Sequence, residues 1–510
     1  MWGAGRAGAG PGRALHRFAT RLVSTQQPRL AEAFNSRLGS GGVLDYLQWG
    51  VRQRAGLFGI PELRTSSGFQ ELTQRCRVNV EALRAEVVSP VRRRNVAVIF
   101  DDMSDELCRV ADMAEFVRLT HPEQEFQRAA GEACVAASAV VETLNTDQEI
   151  FRALELALAR GDVKEETAED RQVAELFTHD FLMSGVGLPA QQRRRAVELN
   201  DRILRLGHWF SASAHQPVLV EQEKLPAGAR DLFWPRHEGK VVVTSQAMDQ
   251  RSDLGRETAY RLYYRQDGER EAVLDALLQD RCELAQLCGY TSFSERGAEH
   301  TLAQSPGRVE QFLSSLAEQL RPRVLEEQRG MLTSKRRNNP DSGPLAVWDV
   351  PYFTTQARQS FLSQDSKNIA EFFSLGVVME GLNDLFSSLY GVRLERAEVE
   401  EGELWSGDVV KLAVLENTDD LLGHIYCDFF RRSGKNSSDC HFTIRGGRER
   451  SDGSYQLPVV AVVLNLAPPS RTRPTCLSPT TMDNLFHEMG HAMHSLLGRT
   501  KYQVNKHTQN

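Results

Sequence analysis

The chain is 510 residues long, 41% hydrophobic and 25% charged, enough material for one large core or several smaller ones. Its 61 basic residues against 68 acidic ones leave a net charge of −7, which argues against a face that tracks a phosphate backbone and so against nucleic acid as a partner. The longest apolar run, Leu457 to Ala467, is about half of what a bilayer span requires, and no membrane span is expected.

The charge is uneven from the start. Arg6, Arg13, Arg17, Arg21 and Arg29 all precede the first acidic residue, Glu32. If Arg13 to Val23 is helical, the arginines at spacing four share one face and Leu15, Phe18 and Leu22 lie opposite. An Arg-rich, acid-free amphipathic N-terminus reads as a mitochondrial transit peptide, here residues 1–35, with the matrix as destination. The plainer alternative is a basic tail without structure. Removing it leaves a still more acidic protein, which suits cationic clients. The eight cysteines are scattered without a CxxC pair and read as free thiols of a reducing compartment, where the sequon Asn436-Ser437-Ser438 would not be glycosylated.

From residue 36 to about 400 the apolar residues recur three and four apart, so the fold is expected to be mainly α. We divide it into an N-terminal helical lobe, 36–255, and a second domain, 256–510. One helix runs through Val273, Leu277, Leu284 and Leu287 to a stop at Gly289. Another starts at Ser305-Pro306 and carries Val309, Phe312, Leu313, Leu316 and Leu320, with Pro322 closing it. Both stripes are assigned to the core. Ser334 to Pro344 is polar and turn-rich and reads as a loop. Glu398, Glu400, Glu401 and Glu403 read as a solvated surface. Beyond them the pattern changes to short strands at Val409 to Val414, Cys440 to Arg445 and Leu457 to Leu466, a small sheet expected beside the last helix. No glycine-rich phosphate loop occurs, since Gly434-Lys435 lacks the upstream glycine.

That last helix carries the chemistry. Ser478 is placed to cap it, Pro479 to open it and Gly498 to end it. His487, His491 and His494 then fall along one stripe, while Met482, Leu485, Met489, Met493 and Leu496 form the apolar back. His487-Glu488-Met489-Gly490-His491 is an HExxH sequence. Two imidazoles one turn apart can both reach one Zn²⁺, and Glu488 projects beside them as a general base that takes the proton of an attacking water. His494 is expected beside the pair, not converging with it.

Phe486 to His494, FHEMGHAMH, resembles the active-site signature of the thimet oligopeptidase and neurolysin family of zinc metallopeptidases. Arg281-x-Glu283-Leu284-Ala285, Gly289-Tyr290, Ser305-Pro306, Trp405 with Asp408-Val409, and Gly423-x-x-Tyr426-x-Asp428-x-x-x-Arg432 with Gly434-Lys435 continue the resemblance in the family's order. It implies two helical lobes around a deep channel, peptide or precursor-protein substrates and, with the address, an enzyme that trims a short N-terminal peptide from imported precursors. A monomer is expected. The resemblance also implies a strand near the zinc along which a peptide lies, and Leu457 to Leu466 is the candidate; the alternative is a core strand paired on both sides, which its Val and Leu content favours. Finally, the family supplies a third ligand from a glutamate on the next helix, and no Asp or Glu follows Glu488 here. The expectation is a catalytic domain truncated after the HExxH helix, weakly active or inactive, or a product that binds precursors without turnover. His507 is the one remaining candidate substitute ligand.

Overall fold

The computed structural model describes residues 30–35, 55–214, 218–233, 236–237, 239–361, 370–436, 438–470 and 472–503. The amphipathic segment Arg13 to Val23 and His507 lie outside them. Helices dominate, as the periodicity predicts. They are α1 (Leu30–Asn35), α2 (Gly68–Val87), α3 (Val96–Thr120), α4 (Gln124–Asn145), α5 (Gln148–Arg160), α6 (Ala168–Met183) and α7 (Ala190–Ala214). After the short strands β1 (Val218–Glu221), β2 (Arg236–His237) and β3 (Lys240–Val243) come α8 (Asp253–Tyr263), α9 (Gly268–Leu287), α10 (Phe293–Ala298), α11 (Pro306–Asn338), α12 (Val350–Phe361) and α13 (Leu375–Tyr390). The chain then forms β4 (Val392–Arg396), β5 (Val410–Glu416), β6 (Leu421–Phe430), β7 (Cys440–Arg445), β8 (Arg448–Glu449), β9 (Tyr455–Gln456) and β10 (Val459–Leu466), and ends in α14 (Pro479–Leu497). No described helix is long and apolar enough to cross a membrane.

Two compact units, each discontinuous in sequence, divide the chain: 1–71, 112–131 and 370–501 in one, and 72–111, 132–369 and 502–510 in the other. The second unit is helical apart from the antiparallel sheet β1-β3-β2. Its helices start where short polar side chains satisfy the orphan N–H groups of a first turn. Asp147 accepts from Glu149 and Ile150, and Thr167 with Asp170 forms a capping box. Ile99, Phe100, Ile150, Leu154 and Phe181 fill one core of this unit. Arg256 is fully buried there and donates to Asp349 Oδ1 at 3.1 Å, while Lys335 donates to Asp349 Oδ2 at 2.6 Å. α9 ends at Leu287 with Cys288 as its C-cap and Gly289 at φ +87°, as the sequence predicts.

α11 departs from expectation twice. Ser305 caps it, but the helix passes straight through Pro322 and runs to Asn338, so that Ser334 to Asn338 is helix and not loop. Its apolar stripe is exposed: Phe312 is 65% and Leu313 55% accessible. A helical period reports a face, and whether another element covers that face is a tertiary fact.

The first unit is built on a five-stranded sheet in the order β4-β5-β6-β10-β7. β10 is parallel to β6 and antiparallel to β7. Side chains alternate across it. Ile425, Cys427, Phe429, Val460, Val462 and Leu464 face a core shared with α1, α13 and the back of α14, where Leu485, Met489 and Leu496 are fully buried. Tyr426 and Asp428, of the opposite parity, face Trp405, and Phe116 packs edge-on against Trp405 and Phe442.

Candidate functional site

α14 forms as its sequence dictates. Ser478 Oγ accepts from the Thr481 N–H, Pro479 occupies the first turn, and the helix stops at Gly498. Its apolar stripe locks it to the sheet, with β10, β7 and β6 beneath it. Gly423 on β6 makes this approach possible, because a Cβ there would overlap the Pro458 carbonyl oxygen and sit 2.5 Å from Leu496 Cδ2.

The opposite stripe is open. His487 and His491 are exposed, and their Nε2 atoms lie 3.1 Å apart with the rings nearly perpendicular, 4.7 Å between centroids. Two nitrogens at tetrahedral positions about 2.05 Å from one zinc are separated by about 3.3 Å, so the pair fits a shared ion with a small adjustment of the rings. Each imidazole has no other hydrogen-bond partner among the described residues. Glu488 lies between them in sequence, is 7% accessible, and its carboxylate makes no hydrogen bond or ion pair among the described residues. His494 is exposed on the same helix and does not join the pair. Among the described residues no group of three or more His, Cys, Asp or Glu side chains could hold a metal.

The strand that the sequence offered for peptide docking is not free. β10 is paired on both sides, so the buried-core reading holds for it; β7 is the edge beside α14. This edge brings residues that sequence reasoning did not single out. His441 Nε2 lies 3.3 Å from Ser495 Oγ, and its ring stacks 6.2 Å from that of His491. Burial, with the His491 and His494 imidazoles adding to it, pushes His441 down to about 4. Burial beside the Glu488 and Asp439 carboxylates pushes the Cys440 thiol up to about 11. Asp439 accepts from Asn484 Nδ2 at 2.8 Å and from Asn465 Nδ2 at 3.3 Å, tying β7 to the helix one turn before Glu488. A cavity of about 480 Å³ opens at that end, lined by Asp439, Asn465, Arg473, Thr475 and Thr481 among others. The register of β7 against β10 is a long-range pairing, and no local signal discloses it.

The other quoted stretches turn out to be architecture. Asp428, 1% accessible, accepts from Trp405 Nε1 at 2.8 Å, from Arg432 at 2.6 and 2.8 Å, and from Lys435 Nζ at 2.9 Å. Lys435 also donates to the carbonyls of Asp428, Phe430 and Leu464. Burial pushes the Asp428 carboxyl up, but Arg432 and Lys435 overcome this and hold it below the usual carboxylate range. Glu403 is not a surface residue, as its cluster suggested. It is 3% accessible, with Lys411 Nζ and the Tyr426 hydroxyl each 2.6 Å from Oε1. Three of the five residues before it, Glu398, Glu400 and Glu401, are acids, and its partners arrive from β5 and β6, which is why composition misjudged it.

Residues 246–509 match the model of peptidase family M3. The chain is 42% identical over 504 residues to the mitochondrial intermediate peptidase of Mus musculus, covering 99% of this chain and 70% of that protein. The protein of the same name from Homo sapiens is 41% identical over 496 residues, 97% of this chain and 69% of its own length. The one from Phaeosphaeria nodorum is 32% identical over 513 residues, covering 89% and 64%.

Proposed function

The chain belongs to peptidase family M3, and on that premise we propose that it is a zinc metalloendopeptidase of the mitochondrial matrix that shortens imported precursor proteins at their N-termini. The observation that carries this reading is the pair of imidazole Nε2 atoms 3.1 Å apart on the open face of α14, with Glu488 between them. His487 and His491 would hold the zinc, which would supply Lewis acidity when bound. Glu488 takes the proton of the attacking water and delivers it to the leaving amine nitrogen. An extended peptide adds to the outer edge of β7 by main-chain hydrogen bonds, which recognise backbone and leave side chains free to vary.

Two imidazoles are fewer ligands than a catalytic zinc takes from its protein, and no further ligand is assigned among the described residues. The second reading is precursor binding without turnover. Cleavage of a presequence-derived peptide, compared between the wild-type chain and Glu488→Gln, tests the first reading. Loss of residual cleavage in the variant supports it, and equal cleavage by both removes Glu488 from the chemistry.

A further inference from the structure

The sequence alone ends the mitochondrial address at residue 35, but the last six of those residues are helix α1, and α1 is part of the core that seats the metal-site helix. Leu30, Ala33 and Phe34 are 5, 5 and 1% accessible. Phe34 stacks on Phe429 of β6, 5.4 Å between ring centroids and 22° between planes, in the same cluster as Leu485 and Met489 of α14. The polar groups of α1 are engaged as well. The Ala31 N–H donates to Glu380 Oε1 at 3.1 Å, and Asn35 Nδ2 donates to Ser374 Oγ at 3.2 Å.

The most telling contact is at the start of α13. A helix leaves the N–H groups of its first turn without intrahelical partners. Ser374, the N-cap residue of α13, makes no side-chain capping bond of its own. Asn35 Oδ1 accepts from the Gly376 N–H at 2.8 Å and so caps that helix from more than three hundred residues away. Gly376 is shaped to this neighbour, since a Cβ there would lie 2.5 Å from the Ala31 carbonyl oxygen and 2.7 Å from Asn35 Cγ. An address that is discarded after import has no reason to supply a buried aromatic and a helix cap to the mature protein.

We propose that Leu30–Asn35 is retained in the mature enzyme, and that processing therefore takes place ahead of Leu30. A matrix presequence peptidase hydrolyses one peptide bond ahead of α1; water contributes its hydroxyl to the carboxyl of the released peptide and its remaining hydrogen to the nitrogen of the broken bond, which becomes the mature N-terminus. This rests on the N-terminus being a cleaved address, as the proposed function requires.

The full-length chain imported into isolated mitochondria, recovered and read at its N-terminus by mass spectrometry, tests it. A first residue anywhere from 2 to 30 supports the proposal. A first residue at 31 or beyond, with import intact, overturns the proposal alone. A chain that remains at Met1 overturns both the proposal and the address reading. Retention for structural reasons has its own readout: in the full-length chain Asn35→Ala lowers the melting temperature by several degrees whereas Arg17→Ala leaves it unchanged, and equal melting of both variants contradicts a structural role for α1.

Discussion

Within one unit, two sets of ionisable side chains lie against opposite faces of the same sheet. Under β6 and β10, Asp428 is saturated: an indole, a guanidinium and an ammonium all donate to it, and the two remaining N–H groups of Lys435 are shared among three carbonyls. Above, on α14, His487 and His491 have only each other as hydrogen-bond partners among the described residues, with the His441 ring stacked beside His491, and Glu488 lies next to them with no hydrogen bond or ion pair among the described residues. A buried charge with every bond made rigidifies the fold and has no capacity left for a ligand. Side chains that a fold draws together and leaves unsatisfied are the ones free to bind and react. The contrast separates scaffold from site even though both sets belong to equally motif-like stretches of sequence.

The largest effect should come from the saturated face. Asp428→Ala leaves the Arg432 and Lys435 charges buried without their carboxylate, at a cost of about 3–5 kcal/mol, which chemical denaturation will register as a lower midpoint. A variant as stable as the wild type would mean that the buried ion layer is not what holds this face.

Acid should strike the same layer next. Burial lowers His121 and His424 from 6.5 to about 4, so both are neutral in the fold and protonate more readily once unfolded. Their contribution is present above pH about 6.5 and is lost as the pH falls towards about 4. Asp428, held low, keeps its contribution until the pH drops below about 3.9, the ordinary carboxylate value. The melting temperature should therefore decline between pH 6.5 and 4 and fall more steeply below; a flat profile down to pH 4 would argue that neither imidazole is desolvated.

Gly423→Ala tests how closely the two layers are pressed together. The overlap with the Pro458 carbonyl and Leu496 should cost about 1–3 kcal/mol by forcing α14 off the sheet. Full stability would show that the helix has slack beneath it.

The smallest effect on stability belongs to the metal pair. His487→Ala and His491→Ala remove exposed rings that are hydrogen-bonded only to each other, and metal-free stability should move by no more than about 0.5 kcal/mol. Metal-linked stabilisation should vanish in both, so that the variants separate from the wild type only when zinc is added. A large metal-free loss in either would erase the contrast between the two faces.

The sequence discloses one face far better than the other, for a physical reason. Everything that makes α14 is local: a capping Ser478, Pro479, a period of 3.6 and HExxH all fall within a few turns, and the structure follows them residue by residue. β7 was legible as a strand to the residue, because its β-favouring run is also local, yet its place at the sheet edge depends on pairing with β10. The Asp428 layer needs Trp405 from another segment and Thr120 from α3, and a run of Gly, Tyr, Asp and Arg in the sequence gives no sign that its charges are buried. α11 marks the opposite failure. Its stripe has the same period as that of α14, but Phe312 and Leu313 remain exposed while Leu485 and Met489 are not. Periodicity specifies a face, and only the packing of other elements specifies burial.

The central claim is that His487 and His491 bind one metal ion together. Competition of the purified chain against a chromogenic zinc chelator measures it directly, with His491→Ala alongside. The account predicts about one zinc per wild-type chain and none in the variant. Equal zinc binding by both, or none by either at zinc concentrations that saturate a two-imidazole site, would contradict it.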